Sequence, residues 1–194
     1  MSAEANVATK VVTSLVRLSY LHIWEPAAVE EGQEKKYSAS LIIPKSDKAL
    51  IKKIKAAIEA AKEAGKTSKF GGKIPANWKN PLRDGDADRP DDEAYADSFF
   101  INANCKTQPG VVDKKLNKIM DQDEVYSGCY GYASVTFYPF NTNGSKGVAC
   151  GLNHIMKVKD GEPLGGRATA ESDFAEIVVE DEDFASPDED DLLG

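Results

Sequence analysis

The chain has 194 residues, 41% hydrophobic and 29% charged, which is enough for one folded domain with a core and appendages. No apolar run approaches the roughly 20 residues needed to cross a bilayer, and the opening Met1-Ser-Ala-Glu-Ala-Asn lacks the basic start and apolar stretch of a signal peptide. The net charge of -8 is unevenly spread: 171–194 holds 11 acidic residues and no basic one, leaving 21 acidic against 24 basic residues in 1–170. A mildly basic body with an acidic tail points to a polyanion partner and a built-in competitor for it. Cys105, Cys129 and Cys150 are odd in number and widely spaced, so they are expected to be reduced and buried in a cytosolic protein.

In chain order, residues 1–9 are small and polar and are expected to fray. Thr9 to Trp24 reads as the first long strand, with Val16, Leu18, Tyr20, His22 and Trp24 on one face and Arg17, Ser19, Leu21 and Ile23 on the other. Glu25-Pro26 should end it, since proline cannot donate to a ladder. Lys36 to Ile43 is a second strand. Pro44 breaks it, and Ser46 then reads as the N-cap of a helix from Asp47 to Ala64, with Gly65 as its stop. Leu50, Ile51, Ile54, Ala57, Ile58 and Ala61 recur at helical spacing and predict a face packed on the sheet, with lysines opposite.

Lys66 to Ala96 has little periodicity. Loops this long are commonly functional or disordered, and this one carries Phe70, Trp78 and the cations Lys66, Lys69, Lys73, Lys79 and Arg83. It reads either as a DNA-contacting flap or as a surface excursion with Trp78 tucked onto the body. Ser98 to Lys106 is a third strand, Pro109-Gly110 a turn before Val111-Val112, and Lys114 to Gln122 a short helical or irregular piece. Two strands then flank Asn143-Gly144, a step that favours the positive φ values of a tight hairpin. After Gly161 the pattern stops, and from Ala168 the chain is acidic and low in complexity, so 168–194 is expected to be a disordered tail.

Five strands and one main helix predict an all-β-dominated small barrel. The absence of alternating β-α-β units argues against a parallel nucleotide-binding sheet. Gly65-Lys66-Thr67 ends a helix and has Ala60 where a phosphate-binding loop needs glycine. Asp84-Gly85-Asp86-Ala87-Asp88 starts like a calcium loop, but Arg89 and Tyr95 stand where glycine and a bidentate glutamate are required. Asp84, Asp86 and Asp88 could instead hold magnesium for nuclease chemistry. The three cysteines with His22 and His154 lack zinc-motif spacing, and a Cys-His nucleophile pair has no positive support. No cofactor or metal is expected.

The first hairpin strand is the feature left. One face, Cys129, Gly131, Ala133, Val135 and Phe137, is small and apolar; the other is Tyr130, Tyr132, Ser134, Thr136, Tyr138 and Phe140. Such a face either stacks bases in a sequence-tolerant way or serves cross-strand pairing or a subunit interface.

Four runs carry a resemblance: Ser38 to Lys45 (S-A-S-L-I-I-P-K), Pro81 to Asp86 (P-L-R-D-G-D), Tyr126 to Asn141 and Lys146 to Arg167. In this order the chain resembles the single-stranded DNA-binding proteins of tailed bacteriophages and prophages over roughly residues 10–167. The resemblance implies an OB-fold, a five-stranded Greek-key barrel in 1–167, followed by an acidic tail in 168–194. It implies a non-enzymatic protein that coats single-stranded DNA in phage replication and recombination in the bacterial host cytoplasm, with replication and recombination proteins reached through the tail. A homodimer is compatible with it. The stacking candidates read from the residues are Tyr130, Tyr132, Tyr138 and Trp78; the phosphate candidates are Lys79, Arg83, Lys106, Lys146 and Lys157. The rivals are a scaffolding protein whose aromatic face is an interface, and the magnesium-dependent nuclease.

Overall fold

The computed structural model describes residues 8–28 and 30–164, with Phe174 and Ile177 beyond them. The chain divides into two units, Met1–Leu164 and Gly165–Gly194, and every element below belongs to the first. The expected disordered tail, those two residues aside, lies outside the described residues, as does the expected fraying of 1–7. In order the elements are β1 (Lys10–Val12), β2 (Val16–Ala27), β3 (Lys36–Pro44), α1 (Lys48–Ser68), β4 (Arg83–Asp84), α2 (Gly85–Asp88), β5 (Ser98–Cys105), β6 (Gly110–Val112), β7 (Tyr130–Thr142) and β8 (Ser145–Lys159).

The fold is mostly β with one main helix. Five strands pair in a cycle: β2 with β3, β3 with β5, β5 with β8, β8 with β7, and β7 back to β2, all antiparallel except β5–β8. That cyclic order fits the expected five-stranded OB-fold. The β2–β7 and β5–β8 seams are short, two residue pairs each, whereas β7–β8 runs the length of the hairpin. Asn143 (φ 50°) and Gly144 (φ 86°) make its turn, as the Asn-Gly step predicts.

The inward rows are apolar and buried: Leu41 and Ile43 on β3, Ile101 and Ala103 on β5, Ala133, Val135 and Phe137 on β7, and Val148, Cys150 and Leu152 on β8. Helix α1 packs Leu50, Ile54, Ile58 and Ala61 into the same cluster. Each such leucine or isoleucine contributes about 1.5–3 kcal/mol by leaving water, so the helix is fastened by its stripe more than by its propensity.

Several local expectations are corrected. The first strand is broken: β1 pairs with β7, and β2 begins only at Val16. Its faces also exchange midway. The register against β3 slips between Ser19 and His22, where Tyr20 takes φ 44°. Val16 and Leu18 are buried before this bulge and Ile23 after it, so Tyr20 and His22 leave the core face. Pro26 does not end β2, which reaches Ala27. Asp47, not Ser46, caps α1, its carboxylate accepting from the Leu50 N–H. Gly65 does not stop α1: the helix continues to Ser68. Gly65 is instead a contact point, since a Cβ there would lie 2.4 Å from Pro139 Cβ. Val111-Val112 belongs to a further strand, β6, parallel to β8. Cys129 and Cys150 are buried, but Cys105 is only half-buried.

Lys66 to Ala96 is neither structureless nor a single flap. Phe70 is buried, and Trp78 packs against the main core with the Lys62 ammonium 4.5 Å from its ring. The Lys79 N–H donates to the Lys146 carbonyl and its own carbonyl accepts from Val148, which ties the segment to the hairpin end. From Arg83 the segment folds onto the outer side of β3 and β5. There Tyr95, Ile42 and Phe100 form a second buried cluster, joined by Leu164.

Candidate nucleic-acid interface

The outward row of β7 follows from strand alternation. Tyr132 is 37% exposed and Tyr138 41%, while the intervening Ala133, Val135 and Phe137 are at most 1% exposed. Between the two tyrosines, Ser134 and Thr136 both accept from the Asn153 side-chain amide of β8. Across the hairpin Tyr138 stands opposite Ala149, and its ring rests over Gly151: a Cβ there would lie 3.6 Å from the ring edge. Small residues on β8 thus leave the Tyr138 ring uncovered on its outer side. Partial burial pushes the Tyr138 hydroxyl above its ordinary value.

Tyr130 sits differently. It is half-buried between two cations, with the Arg17 guanidinium 5.6 Å and the Lys159 ammonium 4.8 Å from its ring. Arg17 is fixed by donating to the Gly128 and Glu162 carbonyls. Cross-strand pairing sets Lys159, Tyr130, Arg17, Ile42, Phe100 and Arg83 in one row across the outer side of the sheet. Residues 160–164 cross it, since Glu162 meets Arg17 and Leu164 packs on the Ile42, Tyr95 and Phe100 cluster.

The sequence-based candidates therefore do not form one patch. Tyr130, Tyr132 and Tyr138 share the outer face of β7. Trp78, Lys79 and Lys146 meet at the turn end of the hairpin through the Lys79 backbone. Lys157 stands opposite the buried Gly131, on the core-side row, and its ammonium is 2.6 Å from Asp160. Arg83 lies on β4, bonded to Asp88 at 2.9 Å. Lys106 projects past the end of β5, 3.7 Å from Glu34.

The aspartates offered for metal chemistry are engaged by cations. Lys45 lies 2.9 Å from Asp84 and 2.7 Å from Asp86, and Arg83 holds Asp88. The Lys45 hydrogen bonds hold both the Asp84 and Asp86 carboxyls below their ordinary range. Among the described residues no cluster of three or more His, Cys, Asp and Glu side chains could hold a metal ion.

Three residues on the outer side of the sheet were not candidates from the sequence: Arg17, Lys159 and Tyr20. Arg17 and Lys159 are legible only once the register places them beside Tyr130. Period two puts Tyr20 on one face with Val16 and Leu18, and the bulge turns it away from them to 52% exposure. A φ of 44° on a bulky residue costs on the order of 1–3 kcal/mol and marks a position the surrounding structure holds in place.

Comparison with known proteins agrees with this architecture. The family model for the single-stranded DNA-binding protein of Enterobacter phage Enc34 matches residues 9–185. A protein of Acyrthosiphon pisum secondary endosymbiont phage 1, described as putative protein p50, is 34% identical over 190 residues, covering 95% of this chain and 98% of that protein. The bacteriophage Enc34 protein solved in complex with single-stranded DNA superposes with TM-score 0.73 at 30% identity, over 81% of this chain and 90% of that one. The gp2.5 single-stranded DNA-binding protein of bacteriophage T7 gives TM-score 0.58 at 20% identity over 89% and 96%, a likeness of fold alone. With its ring of five strands and a family match over nearly its whole length, the chain belongs to the family of the Enc34 phage single-stranded DNA-binding protein.

Proposed function

We propose that this protein binds single-stranded DNA without sequence preference and without catalysis, coating strands exposed in phage replication and recombination in the host cytoplasm. The observation that carries the reading is the outer row of β7. Tyr132 and Tyr138 stand exposed on one face of a strand whose other face buries Gly131, Ala133, Val135 and Phe137. Stacking a base on an aromatic ring is worth roughly 1–3 kcal/mol and accepts any base. Family membership supports nucleic acid over a protein neighbour as the occupant.

Tyr132 and Tyr138 are the stacking residues of this reading, with Tyr130 a cation-flanked third and Trp78 a support for the hairpin end. Lys79 and Lys146 supply phosphate contacts there; Arg83, Lys106 and Lys157 are paired with Asp88, Glu34 and Asp160 and would have to exchange these carboxylates for phosphates. Replication and recombination partners, and a second copy of the chain, fall to the acidic tail and to surfaces outside this row.

Titration of labelled oligo-dT, with and without magnesium, tests the reading. Saturable binding that leaves the oligonucleotide intact and weakens linearly with log salt is the expected result. Silence would make the aromatic row an interface between proteins, and magnesium-dependent cleavage would restore the aspartates as a nuclease site.

A further inference from the structure

We propose that Tyr20 and Arg89 form a docking site for one nucleobase of the bound strand, separated from the β7 row by the crossing segment 160–164. The proposal rests on the single-stranded DNA reading above and deepens it.

Three observations meet at this place. Tyr20 is displayed outward by the β2 bulge, 52% exposed, with a φ that only the bulge explains. Bulges re-aim side chains and are over-represented beside functional sites. The ring borders a cleft of about 420 Å³ lined also by Asp88, Arg89, Pro90, Asp91, Asp92 and Glu93.

Second, the Arg89 guanidinium lies 5.0 Å from the Tyr20 ring, 4.9 Å from Tyr95 and 5.0 Å from Phe100. It is held among three aromatic rings, yet among the described residues no acceptor bonds it, and its Nε is buried without a partner. Asp88 beside it is taken by Arg83, and Asp92 accepts from the Ala94 N–H. A guanidinium fixed by ring contacts and still lacking an acceptor suits the ring nitrogens and carbonyl oxygens of a base.

Third, the rim is acidic. Asp91, Asp92 and Glu93 around the cleft repel a phosphate, so a nucleotide enters base first and keeps its phosphate in solvent. The base lies in the cleft against the Tyr20 ring with its polar edge toward Arg89, since both residues line that cleft. By strand rise Tyr20 lies about 10 Å along β2 from Arg17, so one oligonucleotide can reach both aromatic surfaces.

The test uses the full chain and two changes. Tyr20→Gly removes the ring while accepting the positive φ, and Tyr20→Phe keeps the ring. On labelled oligo-dT, Tyr20→Phe should bind within about twofold of the wild type and Tyr20→Gly about tenfold more weakly per folded molecule. On an abasic deoxyribose-phosphate oligomer of equal length, Tyr20→Gly and the wild type should bind alike. Unchanged affinity of Tyr20→Gly for oligo-dT would overturn the site, and so would equal weakening on both oligomers. A wild type that ignores oligo-dT sinks the DNA reading itself, whereas a wild type that binds but is indifferent to residue 20 sinks only this site.

Discussion

At the scale of single residues, the three β7 tyrosines are not equivalent. Tyr130 is clasped by Arg17 and Lys159, so its removal disturbs a packed cation-π arrangement as well as a surface. Tyr132 and Tyr138 are open, and their loss should be read in binding alone. The double change Tyr132→Ala with Tyr138→Ala is expected to weaken oligo-dT binding at least about tenfold, from roughly 1–3 kcal/mol per stacked base. The thermal midpoint should move little, because exposed side chains outside special contacts rarely matter to stability. A fallen midpoint with unchanged affinity per folded molecule would show that the rings serve the fold. Lys45 makes a second residue-scale case. Its hydrogen bonds hold Asp84 and Asp86 below their ordinary range, so these carboxylates stabilise the fold above the unfolded value of 3.8. That contribution is lost as pH falls through the lowered folded values. Lys45→Met should therefore melt earlier than wild type at neutral pH, with the gap closing at the acid end. Melting curves at stepped pH check it, and a gap that persists in acid would place the effect in packing against Phe99 instead.

At the scale of elements, Gly65 separates two roles that look alike in the sequence. A glycine after a helical stripe reads as a stop, but this one sits inside α1 where Pro139 and the Phe70 ring close on it. Gly65→Ala should destabilise by about 1–3 kcal/mol, as overpacking does. A glycine that merely ended the helix would tolerate alanine far better; denaturant unfolding distinguishes them. The same contrast explains what was legible. The β7–β8 hairpin, the buried rows of β7 and β8, and the stripe of α1 follow from local periodicity and one turn, and the structure has them where they are expected. The bulge in β2 does not, because a one-residue slip is set by β3 and leaves no local mark. Segment 83–97 hides for the same reason. Asp84 caps α2 and Asp92 caps a single helical turn at Glu93–Tyr95, and the segment is fastened by Tyr95, whose partners Ile42 and Phe100 come from β3 and β5. Arg17 and Lys159 likewise become site neighbours only through pairing.

At the scale of the whole molecule, the charge asymmetry becomes a question of reach. The last described stretch, 160–164, crosses the outer side of the sheet, with Glu162 against Arg17 and the Leu164 N–H donating to Ser127. Glu171, the first acid of the run, comes seven residues after Leu164, no more than about 25 Å of extended chain. A tether of that length gives any contact between the acidic run and the body a high effective concentration. Carboxylates so tethered should compete with phosphates for Lys159, Lys146 and Lys79. Deleting 171–194 is expected to tighten oligo-dT binding several-fold at low salt. Screening shortens from about 10 Å at 0.1 M to about 3 Å at 1 M ionic strength, so the advantage of the truncated chain should shrink as salt rises. Paired titrations of the two chains across a salt series give both slopes. A truncated chain that binds no better at low salt would end the competitor reading, and the tail would then be left to partners alone. Tightening that survives at high salt would instead point to a contact made through the apolar residues of that stretch, Ile177-Val178-Val179 and Phe184.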